Sequence, residues 1–206
     1  MSDLDITVLD ATATVHRESL RHRGWPVELF VHTAASIRHF VSQDLAERKP
    51  TMARLVARGV PLLPGDGGAA VRHYCGEVLE AGPAPLPAET LAGARYALSD
   101  LLDDMQGAAP GPEGTAVAVE TWRRTAELVL DVNGCWRGGG KWLMRELISL
   151  DTETGTSWVP RLDAGLAAAL AGDTTLLRVT AEECLSLAGG RLWEGFHQAA
   201  SIDESR

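Results

Sequence analysis

Two aspartates at the start of the chain and one glutamate in the next apolar stretch are the residues whose types and spacing could do chemistry. In Ser2-Asp3-Leu4-Asp5-Ile6-Thr7-Val8-Leu9 the side chains alternate. Read as a strand, this puts Asp3, Asp5 and Thr7 on one face and Leu4, Ile6 and Val8 on the other. Carboxylates two residues apart on a strand stand about 7 Å from one another, a spacing that suits a hard cation such as Mg²⁺ shared with nucleotide phosphates. A solvated surface strand carries the same pattern, so the pair needs a partner. Trp25-Pro26-Val27-Glu28-Leu29-Phe30-Val31 supplies one: Val27, Leu29 and Val31 share a face and Glu28 points the other way. Beside the first strand, Glu28 would complete a three-carboxylate cluster, either as a further metal ligand or as the base that takes a proton from an attacking hydroxyl. The chemistry proposed by these residues is metal-assisted phosphoryl or nucleotidyl transfer.

These side chains must be held by the elements around them. Residues 13–23 read as a short amphipathic helix closed by Gly24, whose His and Arg side chains could approach a phosphate; strand, helix and strand would then form a right-handed crossover. Residues 34–47 carry Ile37, Phe40, Val41 and Leu45 on one helical stripe, and Met52 to Ala57 adds a further turn or two. Gly59 to Gly65 reads as a short third strand placed at an edge by Pro61. Beyond residue 66 the pattern is helical: 69–81, a proline-rich linker at 82–87, then 88–106, a Pro/Gly break at 107–114, 115–133, 141–150, 160–171 and 175–187. Gly189-Gly190 is expected to seat a last helix with Trp193 and Phe196 in the core, and residues 201–206 to fray. The expected fold class is α+β: a small mixed sheet over residues 1–66, an all-helical bundle over 67–206, and a cleft between them.

Gly134 to Leu143 includes Arg137-Gly138-Gly139-Gly140-Lys141-Trp142. A phosphate loop needs Gly at the first position and Ser or Thr after the Lys, following a strand; here Cys135, Trp142 and a preceding helix replace them, and that reading is rejected. What remains is Lys141 at a helix N-terminus, where a nucleotide phosphate is electrostatically favoured. Asp100, Asp103, Asp104 and Glu77 are further acids that either bind the ammonium groups of a cationic substrate or form solvated faces.

Asp-x-Asp followed by a short helix and a strand bearing one acid resembles the nucleotidyltransferase superfamily that includes aminoglycoside and lincosamide adenylyltransferases. Trp136 to Leu147 and Ala188 to Phe196 are similar to the helical C-terminal half of bacterial proteins with that domain. The resemblance implies Mg²⁺ held by Asp3, Asp5 and Glu28, ATP or another nucleoside triphosphate as co-substrate, and transfer of a nucleoside monophosphate to a small-molecule hydroxyl. In that family a strand and a helix start with a Gly-Ser turn precede the Asp-x-Asp strand. Met1 and Ser2 stand directly before Asp3 here, so the expectation is a copy shortened at its N-terminus or one that has lost the element. The competing class is a catalytically impaired version of the fold serving as a nucleotide-binding, interaction or antitoxin-like module.

The 206 residues, 45% of them hydrophobic, suffice for a real core. A net charge of −9 argues against a nucleic-acid backbone as partner and suits a cationic acceptor. Three widely spaced cysteines without a Cys-x-x-Cys pair fit a reducing cytoplasm, and no apolar run approaches the roughly 20 residues of a membrane span.

Overall fold

The computed structural model describes residues 3–63, 65–107 and 111–199. It has the expected α+β character, a small sheet followed by helices, and divides into two compact units, Met1–Pro83 and Ala84–Arg206. In the first unit β1 (Leu4–Leu9), β2 (His16–His22) and β3 (Trp25–His32) form one mixed sheet in the order β1-β3-β2. β1 runs parallel to β3, with Leu4 opposite Val27 and Leu9 opposite His32, while β2 is antiparallel to β3 from His16↔Val31 to His22↔Trp25.

The segment expected as a helix over 13–23 is therefore mostly strand. Its polar residues alternate as cleanly as they wind, and only Val15 and Leu20 are apolar and larger than alanine, too few for a buried helical stripe. Pairing with β3 decides the matter. Arg23 and Gly24 form a two-residue hairpin turn, both with positive φ (50° and 85°), the handedness that matches the twist of the flanking strands. The Gly24 read as a helix cap is a turn residue, and the parallel connection from β1 to β3 passes through β2 rather than through a crossover helix.

Three helices complete this unit: α1 (Ala34–Ala46), α2 (Thr51–Arg58) and α3 (Asp66–Ala81). Thr33 starts α1 through a reciprocal cap, in which Ser36 N–H donates to Thr33 Oγ1 at 3.1 Å and Thr33 N–H donates to Ser36 Oγ at 3.0 Å. Ile37, Val41, Met52, Ala53, Val71 and Cys75 form its core, with Leu9 of β1 packed against them. The expected third strand at 59–65 is not formed among the described residues; Pro64 lies outside them. Pro61 withholds a ladder donor, and Val60, Leu62 and Leu63 stand in solvent, at 82%, 73% and 90% exposure. Because α3 packs on α1 and α2, the division between units falls after Pro83, one helix later than the break read at residue 66.

The second unit is helical: α4 (Ala88–Gly107), α5 (Pro112–Val132), α6 (Lys141–Thr154), α7 (Trp158–Leu170) and α8 (Thr175–Leu187). α5 touches the other four, and Leu98, Leu102, Leu128, Leu130, Leu147, Leu162, Leu177 and Leu185 fill the interior. α7 and α8 meet so closely that a Cβ on Gly165 would lie 3.1 Å from Leu177 Cα. Among the described residues the last helix expected around Trp193 is not formed. Gly189 and Gly190 take φ of 104° and 87°, and Arg95 donates to the carbonyls of both (2.7 and 2.8 Å), so the chain leaves α8 in a capped turn. Trp193 is largely exposed rather than core and stacks on Tyr96, as does Phe196. Residues 201–206 lie outside the described part. Among the described residues no helix is long and apolar enough to cross a membrane.

A three-carboxylate cluster as candidate metal centre

The parallel pairing of β1 with β3 puts Asp5 opposite Glu28, and alternation carries Asp3 to the same face. One carboxylate oxygen from each of Asp3, Asp5 and Glu28 lies within 4.8 Å of the others. Both aspartates are exposed and Glu28 is half-buried, so the cluster opens to solvent on one side. Its donors are all oxygens, the set hard cations select, and Mg²⁺ with ligands at about 2.1 Å needs neighbouring oxygens about 3 to 4 Å apart. A small rotation of these side chains closes that gap, so the residues fit a single divalent ion. The three acids named from sequence are thus brought together, on strands that are direct neighbours.

The same face carries a cation from β2. Arg17 stands opposite Phe30 in the β2–β3 ladder; its Nη2 donates to Glu28 Oε2 at 2.5 Å, and its guanidinium lies 5.1 Å from the centre of the Phe30 ring. The hydrogen bond to Glu28 chiefly, then the charges of Glu28, Asp5 and Asp3, raise the Arg17 pKa further. The sequence places Arg17 on a helix among His and Arg side chains that could approach a phosphate; its place on a strand beside Glu28 is what that reading misses. Its signal is parity: in a strand over 16–22, Arg17, Ser19 and Arg21 must share the face of Glu28 once the two-residue turn is recognised. Further along the same face His32 is buried, its Nδ1 3.1 Å from Ser36 Oγ, and burial lowers its pKa, favouring the neutral ring.

The other residues singled out from sequence lie in different surroundings. Lys141 is the first residue of α6, exposed, in the second unit; the preceding Gly140 has positive φ and offers no side-chain cap. The glycine loop before it is a packing device at one point: a Cβ on Gly138 would sit 2.4 Å from the carbonyl carbon of Trp142, whereas Gly139 and Gly140 face open space. Asp103 receives a hydrogen bond from Arg191 at 2.6 Å and Glu77 lies 3.4 Å from His73, so each of these acids already has a cationic or titratable neighbour.

A second group of charges lies along α5, from half-exposed Glu120 and Arg123 to buried Glu127 and Asp131. Asp131 has a fully buried side chain and accepts a forked pair from Arg137, one arm of it Nε to Oδ1 at 2.8 Å. One turn earlier Glu127 accepts from Arg123, which also bridges to Glu120. The Arg123 hydrogen bond first of all holds the Glu120 carboxyl down at about 2. These groups satisfy one another and pin the loop that carries Trp136 and Gly138.

No protein-family profile matches the chain, and no curated protein sequence does.

Proposed function

We propose that the chain is a Mg²⁺-dependent nucleotidyltransferase that moves a nucleoside monophosphate from ATP or another nucleoside triphosphate to a hydroxyl of a small molecule. The observation that carries the reading is the convergence of Asp3, Asp5 and Glu28 on one point of the sheet face. Asp3 and Asp5 hold the ion, with Glu28 as third ligand or as base. The ion, when bound, supplies neutralisation of phosphate charge. The acceptor oxygen attacks the α-phosphorus, the bond from that phosphorus to the β-phosphate bridging oxygen breaks, and pyrophosphate leaves. The hydroxyl proton passes to a carboxylate, for which Glu28 is the proposed acceptor. Lys141 is proposed as a contact for the nucleotide phosphates. The acidic balance of the chain favours a cationic acceptor of aminoglycoside type, and three cysteines widely spaced in the sequence favour a reducing, cytoplasmic setting.

Mass spectrometry of aminoglycosides and lincosamides incubated with ATP, Mg²⁺ and the protein tests this by the added nucleotide mass. Asp5→Asn should reduce product formation by at least about a hundredfold, since the metal's electrostatic stabilisation is lost with its ligand. Turnover undiminished in that variant removes the metal assignment.

A second reading, an interaction or antitoxin-like module on the same fold, is favoured by the solvent-facing Val60, Leu62 and Leu63. ATP binding that survives with no transfer to any acceptor would favour it.

A further inference from the structure

The position of Arg17 deepens the metal reading on which it rests. A cation already sits on the face where a divalent ion would be held. Its guanidinium bonds Glu28, feels Asp5 and Asp3, and is shelved on the Phe30 ring. A side chain that merely completes a strand pair has no need to face three acids. One that orients Glu28 for a metal would raise metal affinity. Charge decides between those roles: a dipositive ion about 6 Å from a monopositive guanidinium in a water-like dielectric loses a factor of about ten in affinity, and about three after salt screening. Many exposed Arg–Glu pairs contribute nothing measurable, and such a pair returns less than that through orientation.

We infer that Arg17 is an exchangeable counter-cation: it competes with a divalent ion for the carboxylate cluster and, once Glu28 turns to the ion, pairs with the polyphosphate that the ion carries. Arg suits the second half because its planar fork matches phosphate oxygens as well as it matches a carboxylate. The exchange needs only rotation about side-chain bonds, since Arg17 is exposed and its strand is an edge of the sheet. Arg17 is thus a positioning residue whose partner changes from Glu28 to phosphate when the site is loaded.

The test measures binding in the full chain. Mn²⁺ is titrated by electron paramagnetic resonance without nucleotide, and ATP is titrated by calorimetry at saturating Mn²⁺, for the wild type, Arg17→Met and Arg17→Gln. Circular dichroism and thermal melts select whichever variant keeps the fold. Mn²⁺ should bind about three- to tenfold more tightly in the variant. ATP should bind about tenfold more weakly, the loss of one charge-assisted forked contact. Mn²⁺ bound no more tightly, or ATP bound no more weakly, overturns the inference while leaving the carboxylate metal site standing. Absence of Mn²⁺ binding in both wild type and variant instead removes the metal site itself, and the exchange with it.

Discussion

Asp131 and Glu28 are both acids paired with an arginine, and their surroundings give those pairs opposite meanings. Glu28 is half-buried on an open face beside two other carboxylates, and its arginine is exposed; such a pair is worth little as stability and is free to exchange. Asp131 is shut inside the helical unit with Arg137 bonded to it through two donors. Breaking that pair strands a charge. Asp131→Ala should therefore destabilise the second unit by about 3 kcal/mol, read as a lowered midpoint in urea unfolding, whereas Asp131→Leu combined with Arg137→Met should recover most of the loss because no unpaired ion is left. Equal midpoints for the single and double variants would show that the charges were not coupled. The two cases explain what was legible. Carboxylates on one strand face follow from alternation alone. The Arg137–Asp131 pair links a helix to a loop and leaves no mark in either segment taken separately.

At the scale of elements, the long helices α4, α5, α7 and α8 were readable because apolar residues recur at the helical period over more than three turns. β1 was readable by strict alternation. β2 was not, because its seven residues carry little apolar signal of either period, and what makes them a strand is the partner β3. The reverse error occurred at 59–65 and around Trp193, where apolar residues suggested packing that the chain does not make: Val60, Leu62, Leu63 and Trp193 all face solvent. The hairpin turn offers a direct check on this account. Arg23 holds φ of 50° with a bulky side chain, a conformation that Asn tolerates better. Arg23→Asn should raise stability by about 0.5 kcal/mol, measured as a higher melting temperature of the first unit. A loss of stability would mean that the Arg23 side chain contributes more than its backbone costs.

At the scale of the whole molecule, each unit has a hydrophobic core of its own. Ile37, Val41 and Val71 belong to the first, and a larger set of leucines around α5 to the second. The second core is built on α5, which packs against the other four helices of the same unit, so residues 84–206 expressed alone should fold cooperatively with a sharp thermal transition by circular dichroism. A fragment that melts without a transition would show that its stability depends on the preceding residues. The charges named here divide in the same way: the carboxylate cluster and Arg17 belong to the first unit, Lys141 to the second.

The hairpin between β2 and β3 has a consequence that is independent of any functional group. Its two residues set the phase of one ribbon against the next, and phase is a matter of odd or even. An extra residue between Arg17 and the turn, with the two-residue turn kept, would slip that end of β2 by one against β3, leaving the Asp5 and Glu28 rungs untouched yet sending the guanidinium of Arg17 to the reverse side of the sheet. Two extra residues there would return it to the original face, displaced by two residues along β3. The bareness or shielding of the acidic face is thus governed by the parity of a stretch that itself contributes no acid to the cluster.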